Sequence, residues 1–187
     1  MILLLRGYLE TGKDLFYQTC QTGTVHQYWT IYRADGTRDD HPFWLDYNWT
    51  RMAFADELKR QTLFKYHLPP TMSKTDPLPW DASQTYRDLL ISESTEILRQ
   101  CPTYWVDFVN KTRNAENILI TDWRRWDEWK TMMSANADEP VITAHIFRAS
   151  VPVPTYPIEH ELDDFKTDYV ILDLETSWDK YSQMNFF

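Results

Sequence analysis

Lys13 closes the octapeptide Gly7-Tyr8-Leu9-Glu10-Thr11-Gly12-Lys13-Asp14, a glycine-bracketed loop of the form G-x-x-x-x-G-K. A loop of this kind, entered from a strand and left by a helix, turns backbone N–H groups and a helix N-terminus toward one point, where an anion is favoured. The ammonium of Lys13 would add a full charge there. The flanks have the required order: the apolar run Ile2-Leu3-Leu4-Leu5 precedes the loop, and a helical segment over about 13–22 follows it. Asp14 stands where a Ser or Thr hydroxyl would usually ligate Mg²⁺. The plain alternative is a tight turn with a solvated lysine.

A second chemical residue, Asp122, ends the apolar run Ile118-Leu119-Ile120-Thr121. A carboxylate at the end of a parallel strand emerges at the same sheet edge as the loop, where it can hold Mg²⁺ directly or through water. It can also cap the helix that follows, and the two roles are compatible. Arginine suits bidentate recognition of phosphate. Arg124 lies two residues beyond Asp122, and Arg148 ends an apolar run before a proline-rich loop. Arg87 and Arg99 share one helical segment and stand roughly 18 Å apart along it at 1.5 Å per residue, so they serve different parts of a cleft. For each arginine the alternative is a surface ion pair, for example Arg99 with Glu96. The five histidines show no metal-ligand spacing, and no nucleophile motif is present.

These side chains need elements to hold them. Residues 2–6, 118–121, 141–147 and 169–172 read as buried strands, and 13–22, 52–66, 83–100, 104–112 and 126–134 as helices. Thr30 to Arg38, with Asp35-Gly36 at its centre, carries a hairpin signal, but residues 23–50 as a whole are not placed. Pro69, Pro70, Pro77 and Pro79 mark a loop over 67–82, and Pro152, Pro154 and Pro157 mark another over 149–158; both are candidates for segments that move over a site. Strands alternating with helices predict an α/β fold with a mostly parallel sheet.

The 187 residues allow one domain with a real core. A net charge of −9 disfavours a nucleic-acid partner, while a small anionic substrate remains compatible if positive charge is focused in a cleft. Two cysteines make no disulfide framework, which points to a reducing, cytoplasmic setting. Met1 to Leu5 is too short for a membrane span or a signal peptide. Nine tryptophans suit either a core or a pocket that stacks on flat rings.

Taken together, these motifs resemble the deoxynucleoside monophosphate kinases of tailed bacteriophages and related viruses. The family loop reads G-x-x-x-x-G-K-D, which makes Asp14 a subtype marker. Phe54-Ala55-Asp56-Glu57-Leu58-Lys59 resembles the family's F-A-D-x-L-K. Arg87-Asp88-Leu89-Leu90 with Thr95-Glu96-Ile97-Leu98-Arg99 resembles R-x-L-L…T-E-x-x-R, and Tyr104-Trp105-Val106 resembles the W-V that follows. Thr121-Asp122-Trp123-Arg124 with Glu128 resembles D-x-R-x-x-x-E, and Glu159 to Leu162 with Asp168 to Ile171 resembles E-x-x-L…D-x-V-I. The matches run in family order over almost the whole chain. Leu15 replaces a common Thr, Arg125-Trp126-Asp127 replaces F-P-N, Tyr156 and Ile158 replace His and Ser, and residues 23–50 have no counterpart.

The resemblance implies a single P-loop kinase domain over 1–187, of the nucleoside-monophosphate-kinase type: a five-stranded parallel sheet flanked by helices. It implies transfer of the γ-phosphoryl group of ATP to a deoxynucleoside 5′-monophosphate, with Mg²⁺ as cofactor, in the cytoplasm (the host's, if the protein is viral). It suggests a homodimer and calls for no nucleic acid or membrane partner. Gly7, Thr11, Gly12, Lys13, Asp14 and Leu15, with Arg148, would bind ATP; Asp14 and Asp122 would organise the metal; Lys13, Asp14 and Arg124 would serve catalysis. Phe54, Lys59, Arg87, Glu96, Arg99 and Trp105 would bind the acceptor, Trp105 either stacking on the base or filling the core. Two other readings remain open: a phosphotransferase of this fold acting on another or modified acceptor, and a noncatalytic nucleotide-binding protein.

Overall fold

The computed structural model describes residues 1–8, 10–155, 157 and 160–184. It is a mixed α/β structure that divides into two compact units, one built from Met1–Met52 with Arg113–Phe187, the other from Ala53–Thr112.

In the first unit, β1 (Ile2–Arg6) is fully buried and runs directly into the loop that leads to α1 (Lys13–Thr22). A short 3₁₀ turn at Val25–Gln27 leads to β2 (Trp29–Arg33), and β3 (Thr50–Met52) follows. The second unit contains α2 (Phe54–Lys65), the two-stranded pairing of β4 (Pro77–Leu78) with β5 (Asp81–Thr85), α3 (Tyr86–Gln100) and α4 (Tyr104–Thr112). The chain then returns to the first unit with β6 (Ile118–Ile120), α5 (Trp126–Ala135), β7 (Val141–Phe147), β8 (Tyr169–Asp173) and α6 (Trp178–Ser182).

The sheet of the first unit has six strands in the order β2-β8-β7-β1-β6-β3. The five strands β3, β6, β1, β7 and β8 are parallel, and β2 is antiparallel to β8, with Trp29 opposite Asp173 and Arg33 opposite Tyr169. The expectation of five parallel strands is therefore corrected to six with an antiparallel edge. The extra strand comes from the unplaced segment 23–50. That segment also delivers Trp29, Trp44 and Trp49 to the core, all at most 2% exposed, where they pack with Leu3, Leu5, Phe16, Ile146 and Ile171. The hairpin signal within it is met in part: Arg33 N donates to Thr37 O, Gly36 N donates to Arg33 O, and Tyr32 bridges Arg38.

β1 is the inner strand at which the sheet turns. Its neighbours are β6 on one side, with Leu3 opposite Leu119, and β7 on the other, with Arg6 opposite His145. Parallel strands covered on both faces must be apolar throughout, and β1, β6 and β8 are buried at every residue.

The five expected helices are present, α6 in the first unit was not expected, and the second unit shows two differences. The stretch 67–82, expected as loop, supplies β4 and the start of β5. The helix expected from Ser83 begins at Tyr86, because Thr85 rather than Ser83 caps it: the Thr85 side chain accepts from Asp88 N, and Asp88 accepts from Thr85 N in return. Of the loop over 149–158, Tyr156 and Ile158 lie outside the described residues, as does Glu159. No helix among the described residues is long and apolar enough to cross a membrane.

Candidate functional site

The two glycines that bracket the loop between β1 and α1 both have positive φ. Gly7 lies at φ 152° and Gly12 at φ 94°, both in territory that favours glycine. A Cβ on Gly7 would sit 2.5 Å from the carbonyl oxygen of Ile146, so only glycine lets the end of β1 press this closely on β7. A Cβ on Gly12 would meet the Trp29 ring at 2.9 Å. Glu10 also adopts a positive φ, 66°, where a non-glycine residue stores strain of about 1–3 kcal/mol. Leu9 lies outside the described residues.

Lys13 opens α1, and its Nζ donates to the carbonyl oxygens of Gly7 and Tyr8, each at 2.7 Å. The ammonium thus folds back over its own loop. Buried Thr11 closes the loop from inside, its Oγ1 donating to Tyr8 O at 2.9 Å. Gly12 is the N-cap of α1 and offers no side-chain acceptor to the first-turn amides. The arrangement can therefore receive a polyanion with backbone donors, a helix terminus and a cation already at hand.

Asp14 follows on the first turn. Its Oδ1 accepts from Arg51 Nε at 2.7 Å, and its carboxylate is 68% exposed. Arg51 comes from β3, whose Thr-Arg-Met sequence carries no strand signal, so nothing in the sequence pointed to it. Leu15 is largely exposed.

Asp122 and Arg124 lie in the segment between β6 and α5. Thr121 N donates to Met52 O, and the Trp123 indole donates to Arg125 O. Glu128, in the first turn of α5, accepts from the backbone N–H of both Arg124 and Arg125 at 3.0 Å. Burial pushes the Glu128 carboxyl up to about 8; the two amides oppose that shift, and the charge of Asp122 adds to it. A carboxyl that fixes the backbone of Arg124 was visible in the sequence only as part of a resemblance. Arg148 is held by Asp173, Nε to Oδ2 at 3.1 Å.

A small cavity at the carboxyl end of β1 is lined by Arg6, Gly7, Tyr8, Arg124, His145 and Asp163, among others. Tyr8 OH donates to Asp163, and Asp163 also meets His160 Nδ1 at 2.7 Å. An Arg6 guanidinium nitrogen donates to His145 Nδ1 at 3.0 Å. Since arginine can only donate, the His145 proton resides on Nε2. Burial, reinforced by the charges of Arg6 and Lys13, holds His145 well below its usual pKa, which keeps the ring neutral. That shared influence brings Arg6 and Lys13 to bear on one residue. A charged residue ending an apolar run just before a glycine was the only sequence signal for Arg6.

The residues expected to bind the acceptor all belong to the second unit. Phe54 and Trp105 are buried, at 4% and 3% exposure, and Trp105 packs edge-on against Tyr104 at 4.8 Å. Arg99 pairs with Glu96 through two hydrogen bonds of 2.9 and 2.8 Å, the surface ion pair that its spacing allowed, and Arg99 holds the Glu96 carboxyl down at about 2. Lys59 pairs with Asp56 at 3.2 Å. Arg87 N donates to Lys74 O. The structure thus gathers the loop residues, Asp14, Asp122, Arg124 and Arg148 in one unit and Phe54, Lys59, Arg87, Glu96, Arg99 and Trp105 in the other.

No group of three or more His, Cys, Asp or Glu side chains among the described residues forms a metal cluster. Mg²⁺ at phosphates needs only one or two carboxylates, with phosphate and water oxygens completing the set. Asp14, 68% exposed and paired with Arg51, is a carboxylate of that kind at the start of α1. A comparison with protein-family models and another with curated protein sequences return no match.

Proposed function

We propose that this chain is a P-loop kinase of the nucleoside-monophosphate-kinase type, transferring the γ-phosphoryl group of ATP to a deoxynucleoside 5′-monophosphate. One observation carries the reading: at the carboxyl end of β1, the strand where the sheet changes direction, a loop with positive φ at Gly7, Glu10 and Gly12 sits under the Lys13 ammonium. Ligands of open α/β sheets bind at such points. Phosphoryl transfer asks the protein for positioning and charge neutralisation more than for covalent chemistry.

In this reading the amides of the loop and of Leu15 hold the β- and γ-phosphates, and Lys13 turns from the Gly7 and Tyr8 carbonyls to those oxygens. Asp14 and Asp122 would hold Mg²⁺, which would neutralise phosphate charge; the Asp14 carboxylate now pairs with Arg51. Arg124, its backbone fixed by Glu128, faces the transferring phosphate, and Arg148 reaches the nucleotide. Phe54, Lys59, Arg87, Glu96, Arg99 and Trp105 serve the acceptor, Arg99 by exchanging Glu96 for a phosphate. ATP supplies the activated phosphoryl group.

The test is a panel of acceptors incubated with ATP and Mg²⁺: dTMP, dGMP, dCMP, modified pyrimidine monophosphates and non-nucleotide phosphates. The reading expects a diphosphate from at least one deoxynucleotide. Product only from a non-nucleotide acceptor would reassign the substrate while keeping the phosphotransferase. The Asp14–Arg51 ion pair, which occupies the expected metal ligand, favours a second reading, a noncatalytic nucleotide-binding protein; that reading expects ATP binding by calorimetry with no turnover on any acceptor.

A further inference from the structure

Arg6 is the last residue of β1 and stands immediately before the loop. It is 4% exposed, and no carboxylate among the described residues lies within ion-pair distance of it. Its hydrogen bonds go to neutral His145 and to Tyr181, and its Nε has no partner. The nearby Asp163 is engaged by Tyr8 and His160. The charge of Asp163 acts on Arg6 without contact, and a buried guanidinium with no carboxylate in contact is costly to the fold. Here it lines a cavity with Gly7 of the loop and with Arg124. Asp163 lines it too, so two guanidinium groups meet one carboxylate there, a local excess of positive charge in a chain of net charge −9.

We propose that Arg6 is an anion-binding residue whose guanidinium, with that of Arg124, receives a phosphoryl group at the carboxyl end of β1. The proposal rests on the phosphate-loop reading and adds to it a cation that the loop motif does not contain. The phosphoryl group is either the terminal phosphate of the donor nucleotide or the monophosphate of the acceptor. Both offer the same dianionic oxygens to a forked donor.

The experiment measures calorimetric affinity for ADP, ATP, dTMP and inorganic phosphate, together with the thermal midpoint, in the full chain and in Arg6→Met and Lys13→Ala. Arg6→Met is expected to keep or raise the midpoint without ligand, since an apolar side chain of similar length replaces a buried charge with no carboxylate in contact. It is also expected to weaken at least one phosphoryl probe tenfold or more. Weakening confined to dTMP assigns the acceptor phosphate; weakening of ATP but not ADP assigns the terminal phosphate of the donor. Affinities all within twofold of wild type overturn the proposal. If Arg6→Met does not fold, Arg6→Lys is read in its place: it keeps the charge and loses the fork, so a threefold or greater weakening supports the proposal and unchanged affinities overturn it. Lys13→Ala reports separately on the loop. ADP affinity unchanged in Lys13→Ala would sink the phosphate-loop reading without touching the Arg6 result, and a wild type that binds none of the four probes would sink both.

Discussion

At the scale of the residue, three positions make separable claims. The half-buried Lys13 ammonium touches two carbonyls of its own loop, so Lys13→Ala removes a charge together with those two hydrogen bonds. Charged hydrogen bonds are worth about 1.5–3 kcal/mol, so ADP affinity should fall roughly ten- to hundred-fold by calorimetry. Gly7→Ala is the converse, a backbone lesion. Its methyl group would lie 2.5 Å from the Ile146 carbonyl oxygen at a φ that L-residues avoid, and a loss of roughly 2–4 kcal/mol is expected in chemical denaturation. A variant as stable as wild type would show that the loop can relax away from β7. Glu128 gives a pH signature. Its carboxyl is raised to about 8 by burial, above the value of an unfolded chain. Its contribution is therefore complete below about pH 4.5 and is lost as pH rises through 8. Glu128→Gln keeps an oxygen for the Arg124 and Arg125 amides and cannot ionise. It should match wild type near pH 4.5 and exceed it by on the order of a few kcal/mol near pH 9. Parallel stability curves from pH 4.5 to 9 would contradict this.

At the scale of the element, the sequence was readable where burial leaves a continuous apolar run. β1, β6, β7 and β8 are such runs, and each was expected within a residue of where it lies. β3 was not, because Thr50-Arg51-Met52 is three residues with one apolar side chain, held in place by pairing with β6 rather than by its own pattern. With β3 went Arg51, and with Arg51 the partner of Asp14. β4 and β5 were hidden by prolines, since Pro77 opens a two-residue strand where its missing N–H does no harm. Segment 23–50 was opaque for a different reason: its tryptophans are spaced at 29, 44 and 49 with no period, and they share a core only after β2 has paired with β8. The glycine loop itself was legible because its spacing is a backbone requirement, whereas Arg6 and Glu128 gain meaning only from partners 139 residues away or from burial. Because Trp44 is fully buried against Phe16 and Tyr169, Trp44→Ala should cost about 3–5 kcal/mol by denaturation. A loss under 1 kcal/mol would mean that the segment packs only loosely on the sheet.

At the scale of the whole molecule, the residues proposed for the donor and those proposed for the acceptor fall in different compact units of the chain. The two groups should therefore separate kinetically. Arg99→Ala breaks an exposed ion pair, so its thermal midpoint should stay close to wild type while KM for the monophosphate rises and KM for ATP does not. The central claim is that the Gly7–Lys13 loop binds the phosphates of a nucleotide whose terminal phosphoryl group is transferred to a deoxynucleoside monophosphate. Its most direct test is the rate of deoxynucleoside diphosphate formation from ATP and the best acceptor of the panel, measured for wild type and for Lys13→Ala at matched thermal stability. The account predicts turnover by the wild-type chain and its loss, by at least a hundred-fold, in the variant. Equal rates in the two proteins, or no diphosphate from any deoxynucleotide with the wild-type chain, would contradict it.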